Sequence, residues 1–585
     1  MLKSKIPQFD KELDEILKQL KPHKKICQQC QNKFEVLKED IEFYKILRIP
    51  PPKLCPDCRR QRRYGFYNNI LKFYKKECVA HKDEKAISTF NPKSLYKIFD
   101  LKYWWSDRWG AEEYTQDYNF SKSFFKQFQK FNQLVPHPAI LNYYQNIVNS
   151  PYTISTYDVK NCYATALGGW SENSNYCYWV VFSNDCFDLL DSESCENCYE
   201  AVGCSKCYKC SFCEESENCV DCSFIYGCYS CQNCFVCTNL IHKKYHIFNK
   251  PYTKEEYLAK IKEINLGDRN VLEYYKKKFE KLLKETIREN LDNDPKNINC
   301  LGDKLYQAKD CYQVFLTING TKKSENIRYS TDVGEVKDSM DLYIVGPNVS
   351  LSYELVEAAE SSNIKFSYFI SNSLNLEYCL NCRNCQDCFG CISLHNKKYH
   401  IFNKPYSKEE YYQLLDNIKI KMLQDGEYGE FFPLSQSLHS YNNTYAMLVF
   451  PLTKEQVLKN GWQWYDEPKI PIDLKGLGLI QIKDLPKDIK DVKDDILNKA
   501  ILCEATNKPF RLIESELKFY REHNLPIPTK HPYQRMIDRF KKRNPTKLWE
   551  DTCDKCGQKM FTSYPPRKQK KLKIYCHKCY IKEVW

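Results

Sequence analysis

Two cysteine quartets carry the clearest chemistry in this sequence. Cys27-x-x-Cys30 and Cys55-x-x-Cys58 are separated by 24 residues; Cys553-x-x-Cys556 and Cys576-x-x-Cys579 are separated by 19. Four thiolates at such spacing suit a tetrahedral Zn²⁺ ion and leave no coordination position for water, so the expected role is structural and not catalytic. About two zinc ions per chain are expected. The small cores around them, with Phe34, Phe43 and Tyr44 at the first site, need the metal to fold.

Most of the other sulfur is expected to be packing. Residues 199–237 align without a gap on residues 353–391, at a constant offset of 154 (353 − 199), and the match continues through CFVCTNLIHKKYHIFNKPYTKEEY and CFGCISLHNKKYHIFNKPYSKEEY. Upstream, Cys204, Cys207, Cys210, Cys213, Cys219 and Cys222 face Ala358, Ser361, Ile364, Ser367, Ser373 and Leu376. A metal ligand cannot become Ile or Leu, whereas a small buried residue can. Cys228, Cys231, Cys234 and Cys237 do remain cysteine, as Cys382, Cys385, Cys388 and Cys391, so metal at this one stretch stays open. His246 and His400 occupy equivalent places and read as packing residues.

The first quartet lies in a recognisable pattern: Cys27, Cys30, Phe34, Glu42-Phe43-Tyr44, Cys55-Pro56, Cys58 and Arg59. About 40 residues here resemble the treble-clef zinc-binding (zinc-ribbon) family. That resemblance implies a metal-binding module without catalytic activity. The whole chain looks like a group of Cys-rich bacterial proteins with no established function. At an offset of 476 (503 − 27) the C-terminal region repeats the module, but Cys30, Cys55 and Cys58 become Thr506, His531 and Gln534. The second quartet has its own counterpart in Cys78, His81 and Asp100. Each end should therefore carry one metallated and one decayed finger.

Charge suggests a partner. The net charge is +13, with about +11 in residues 1–110, about +11 in residues 500–585 and about −9 in residues 151–237. Arg59, Arg60, Arg62 and Arg63 precede Tyr64, Phe66 and Tyr67; Arg535, Arg539, Lys541, Lys542 and Arg543 take the comparable place at the other end, followed by Arg567, Lys568, Lys570 and Lys571. Arginine beside aromatics suits phosphate contact and base stacking. The leading expectation is a non-enzymatic zinc protein that binds nucleic acid, RNA before DNA, through its ends. The alternative is a scaffold that grips a protein partner with its acidic middle, and a third is an enzyme using the retained Cys/His positions. No phosphate-cradling, dinucleotide or HExxH motif occurs.

These residues require a positioning frame. Every cysteine between Cys162 and Cys237 sits at a multiple of three, a short period expected of a stacked solenoid. The expected fold is mixed and multi-domain, with zinc-ribbon/treble-clef modules flanking a duplicated Cys-rich β-solenoid with trailing helices. The expected order is a helix (1–22), a finger pair (23–110), a helical connector (111–150), solenoid copy 1 (151–252), a charged helix (253–300), copy 2 (301–406), a helix (407–425), a linking segment (426–499) and a finger pair (500–585). Free thiols and the lack of an apolar span predict a cytoplasmic chain with no membrane association.

Overall fold

A residue with left-handed backbone recurs at every third position through most of the middle of the chain. The run Asn161, Ala164, Leu167, Trp170, Asn173, Tyr176 has φ between 49° and 57° or close to it, and the rhythm resumes through residues 326–403. Such a conformation is costly for most side chains, less so for Asn and Asp, and both residue types are frequent here. Each left-handed corner turns the chain, so residues three apart point inward. A computed structural model of the protein describes residues 4–68, 70–142, 146–317, 324–468, 478–566 and 572–585.

The corners wind the chain into parallel ladders. Ile147 pairs with Val159, Thr153 with Thr165, Tyr178 with Leu190 and Cys234 with His246, always twelve residues on. From Glu325 a second ladder keeps twelve, with one winding of thirteen where Met340 pairs with Tyr353. Four inward residues per winding follow from three residues per corner. Polar corner columns reinforce the stack: Asn149 donates to Asn161 at 2.9 Å, Asn161 to Asn173 at 3.1 Å and Asn173 to Asp185 at 3.0 Å. Each stack ends in a short antiparallel hairpin, His246 against Pro251 and His400 against Pro405.

The fold is thus mixed α/β and multi-domain, with a cysteine quartet near each terminus. The charged helix expected over 253–300 is two helices, Lys254–Lys262 and Arg269–Glu285. Thr253 caps the first and Asp268 the second, accepting from Asn270 N at 2.7 Å. Residues 263–268 separate them, and Gly267 within this turn is closely packed: a Cβ there would lie 2.3 Å from Asn524 Oδ1. Only Phe124–Leu134 of the expected connector is α-helical; its phenylalanines pack on the end of the second stack, Phe124 lying 5.8 Å from Phe402. Among the described residues, no helix is long and apolar enough to cross a membrane.

Candidate metal centres and the buried arginines

Both quartets assemble from the same parts. At the first, strands His23–Ile26 and Lys33–Val36 pair antiparallel around a tight knuckle. Cys27 N donates to Asn32 O at 2.9 Å, and Gln31 takes the left-handed φ of 61° that closes the turn. Cys55 and Cys58 sit at the start of helix Pro56–Tyr64, whose first position is proline. At the second, Cys553 N donates to Gln558 O at 2.9 Å with Gly557 left-handed, and Cys576 and Cys579 open helix His577–Val584.

In each quartet the four Sγ atoms lie within 4.8 Å of one another. Cys30 and Cys55 are 3.7 Å apart, Cys556 and Cys576 3.8 Å. An ion about 2.3 Å from each sulfur requires tetrahedral edges of about 3.8 Å, so the donor set fits. Backbone amides assist: Cys55 N donates to Cys27 Sγ and Cys576 N to Cys553 Sγ, both at 3.3 Å. The hydrogen bond from Cys58, against the cost of burial, brings the Cys55 thiol down to about 5. Burial raises Cys553, but the amides of Cys576, Cys556 and Lys555 outweigh it and bring it to about 6. Four thiolates so close need a cation among them.

The C-terminal segment that aligns with the first quartet keeps the same register without the ligands. Ile501 pairs with Phe510 as Lys25 pairs with Phe34. Cys503 N donates to Lys508 O at 3.0 Å and Asn507 is left-handed. His531, which stands where Cys55 stands, accepts from Tyr533 N at 3.1 Å and caps helix Pro532–Phe540. A metal ligand has been replaced by a helix cap. In the segment expected to correspond to the second quartet, Cys78 Sγ donates to Asp100 at 3.3 Å and His81 Nε2 lies 3.6 Å from the same carboxylate. Among the described residues, only the two quartets gather three or more metal-type ligands this closely.

The interior cysteines are hydrogen-bond donors to backbone. Cys210 Sγ lies 3.4 Å from Tyr208 O and 3.4 Å from Cys219 O; Cys222 and Cys382 repeat the pattern two residues back and nine ahead. Serine does the same: Ser174 Oγ reaches Glu172 O at 3.1 Å and Ser183 O at 3.0 Å. The shared geometry explains why Cys and Ser interchange between the stacks. Accordingly Cys210→Ser is expected to change unfolding free energy by no more than about 1 kcal/mol in urea titration, whereas a loss several times larger would mean a role specific to the thiol. Cys228, Cys231, Cys385 and Cys388 bond the same way.

The basic residues expected to meet phosphate are mostly turned inward. Arg59 and Arg63 are 1% exposed and clasp one buried carboxylate, Asp341, at 2.7 and 2.9 Å. Arg62 bridges Glu354 and Glu430 at 2.9 Å each. At the other end Arg535 and Arg539 clasp Asp188 at 3.1 and 2.6 Å, with Glu516 3.0 Å from Arg535. Arg543 binds Asp191 at 2.8 Å and Lys542 binds Glu214 at 3.0 Å. Arg60 bonds Asp57 and the carbonyl of Thr546. Lys541 and Lys542 are the exposed members of the nine, Lys541 pairing with Asp538 at 3.8 Å. All nine thus have a carboxylate partner within the protein, and five of them, Arg59, Arg62, Arg63, Arg535 and Arg539, are buried. The earlier stack supplies Asp188, Asp191 and Glu214 to the C-terminal module and the later one Asp341 and Glu354 to the N-terminal module, so the buried charges are compensated across the fold. Arg567, Lys568, Lys570 and Lys571 lie outside the described residues.

The two clasps share a common core of contacts. Arg63 Nη2 donates to Tyr329 O at 3.2 Å and Arg539 Nη2 to Tyr176 O at 3.1 Å. Tyr329 OH donates to Asp40 and Tyr176 OH to Glu516, at 3.2 and 3.0 Å. The arginines are 476 apart (539 − 63) and the aspartates 153 (341 − 188). The pairing is crosswise: the N-terminal module holds the later stack and the C-terminal module the earlier one. Sequence reading missed Asp188, Asp341, Glu354 and Glu516. The offset of 153, already present between Ser171 and Ser324, was the available signal for the aspartate pair.

His400 Nδ1 meets Lys398 O at 2.7 Å, and its Nε2 faces Glu112 at 2.9 Å. His246 Nδ1 meets Lys244 O at 2.7 Å. No protein-family model and no curated protein matches the chain.

Proposed function

We propose that this chain is a zinc-clamped β-solenoid scaffold that holds a protein partner, and that nucleic-acid binding is not its main activity. The observation that carries this reading is the burial of Arg59, Arg62, Arg63, Arg535, Arg539 and Arg543 against carboxylates. Guanidiniums held that way cannot neutralise phosphates without breaking the core. The constant twelve-residue register supports reading the middle as a solenoid. The knuckle geometry at both quartets supports treble-clef or zinc-ribbon modules, and four thiolates at tetrahedral separation favour zinc.

A contact face of the right kind is present. Trp170 and Phe182, 48% and 50% exposed, stack at 4.7 Å with planes 3° apart, and Tyr157 meets Trp170 edge-on at 4.6 Å. Exposed Glu193 and Glu196 flank the same stack. Rigid aromatic anchors beside charge are typical of protein interfaces. The test is purification of the full chain from its own cells, with the partner cross-linked. The expected complex survives nuclease treatment and maps to Trp170 and Phe182. A complex that dissolves with nuclease, or whose affinity falls steeply with salt as phosphate contacts do, overturns the proposal in favour of nucleic acid.

A further inference from the structure

The two stacks end in nearly identical hairpins, residues 244–252 and 398–406, yet only the second is covered. There the chain's own residues 111–118 lie across the end. Glu112 meets His400 Nε2 at 2.9 Å and also pairs with Lys397. Asp117 pairs with Lys404 at 2.6 Å. Gln116 N donates to Phe402 O at 3.2 Å, and Asn403 Nδ2 donates to Ala111 O at 3.1 Å. The Tyr118 ring stacks over Phe402, centroids 6.0 Å apart and planes 13° apart. Under this cover, with Phe124, Phe128 and Phe131 also packed on Phe402, His400, Phe402 and Asn403 are buried.

Every one of those receiving groups has its counterpart 154 residues earlier: Lys243, His246, Phe248, Asn249 and Lys250. Their local geometry is the same. His246 Nδ1 is tied to Lys244 O as His400 Nδ1 is to Lys398 O, both at 2.7 Å. Asn249 brackets Thr238 from both sides of its amide, as Asn403 brackets Ile392. The cover is what differs. Phe248 is 39% exposed, Lys243, Asn249 and Lys250 are exposed, and His246 is half-buried. Among the described residues no acidic segment pairs with Lys243, His246 or Lys250.

We propose that the end of the first stack is a docking site for an acidic peptide segment of a partner protein, with a Glu, an Asp five residues on and an aromatic ring directly after it. The chain's own Glu112, Asp117 and Tyr118 are the template for that ligand. The Glu seats between Lys243 and His246, the Asp on Lys250, and the ring on Phe248. This names a partner-binding end for the scaffold described above and rests on that reading.

The test uses the full chain and a labelled peptide of residues 108–120 followed by fluorescence anisotropy. Saturable binding is expected, weakened at least about tenfold in the variant Lys243→Glu/Lys250→Glu, because like charges replace attraction at both contacts. These lysines are exposed, so the variant should keep its unfolding transition, which is measured alongside. A peptide carrying Glu112→Lys and Asp117→Lys should not bind. Absence of saturable binding overturns the site. So does binding that the double variant leaves intact, since the peptide would then be exchanging with the native cover on the second stack. Either failure, with a nuclease-resistant complex still cross-linked at Trp170, would discard this site while leaving the scaffold reading in place.

Discussion

Asp341→Ala is expected to lower the unfolding free energy by about 3–5 kcal/mol, the cost of leaving buried charge without its partner. The carboxylate is fully buried and is shared by Arg59 and Arg63. Burial alone would disfavour the Arg59 charge; Asp341 is the largest of the groups that hold it protonated. Asp188→Ala should cost a similar amount, because Asp188 is shared in the same way by Arg535 and Arg539. Urea unfolding of the two single variants and of the pair measures this. The sites use separate arginines, so the losses should add. A control separates charge from volume: Asp341→Leu combined with Arg59→Met and Arg63→Leu should recover much of the loss, since apolar replacement of a buried ion cluster is often neutral. A change below about 1 kcal/mol in both single variants would mean that the clasps do not hold the modules in place.

Loss of the first metal should propagate further than loss of the second. Metal analysis is expected to give two zinc ions per chain, one in Cys55→Ser and one in Cys576→Ser. Structural zinc sites contribute on the order of 10 kcal/mol to folding in small modules, so each variant should unfold its own knuckle. The helix that starts at Cys55 also carries Arg59, Arg62 and Arg63. When it frays, three guanidiniums leave Asp341, Glu354 and Glu430, and the second stack opens on its covered face. The helix that starts at Cys576 makes milder contacts, with His577 against Glu289 and Tyr580 against Asn239. Hydrogen exchange in Cys55→Ser should therefore rise along residues 325–359, while in Cys576→Ser it should rise only near residues 229–242 and 285–290. Equal, local effects in both variants would refute the coupling. Four or more zinc ions per chain would refute the packing role of the interior thiols.

The sequence and the structure agree where a residue type has few physical options. Four cysteines in two knuckles suit a metal ion, and the Sγ atoms converge as such an ion requires. The multiples of three among the cysteines follow from corners of three residues. The long charged helix is interrupted over residues 263–268, a break that the helical periodicity on both sides does not announce. The internal pairing of the basic runs was not legible, for a clearer reason. Arg59 to Arg63 looks solvent-facing in one dimension, since its counter-charges lie about 280 residues away. Long-range compensation leaves no local trace. It was visible only by asking which acidic residues share an offset, as Asp188 and Asp341 do.

The crosswise clasp also has a consequence for how the chain is made. Arg59 leaves the ribosome 282 residues ahead of Asp341. At about 5–20 residues per second that is a wait on the order of tens of seconds, during which the nascent N-terminal module has no counter-charge to dock against. The earlier stack must wait longer still, because Arg535 and Arg539 follow Asp188 by about 350 residues. The first latch can close once Asp341 has been made, but the second must wait for Arg535 and Arg539 near the end of the message, so a product terminated between them would be left with its earlier stack unfastened.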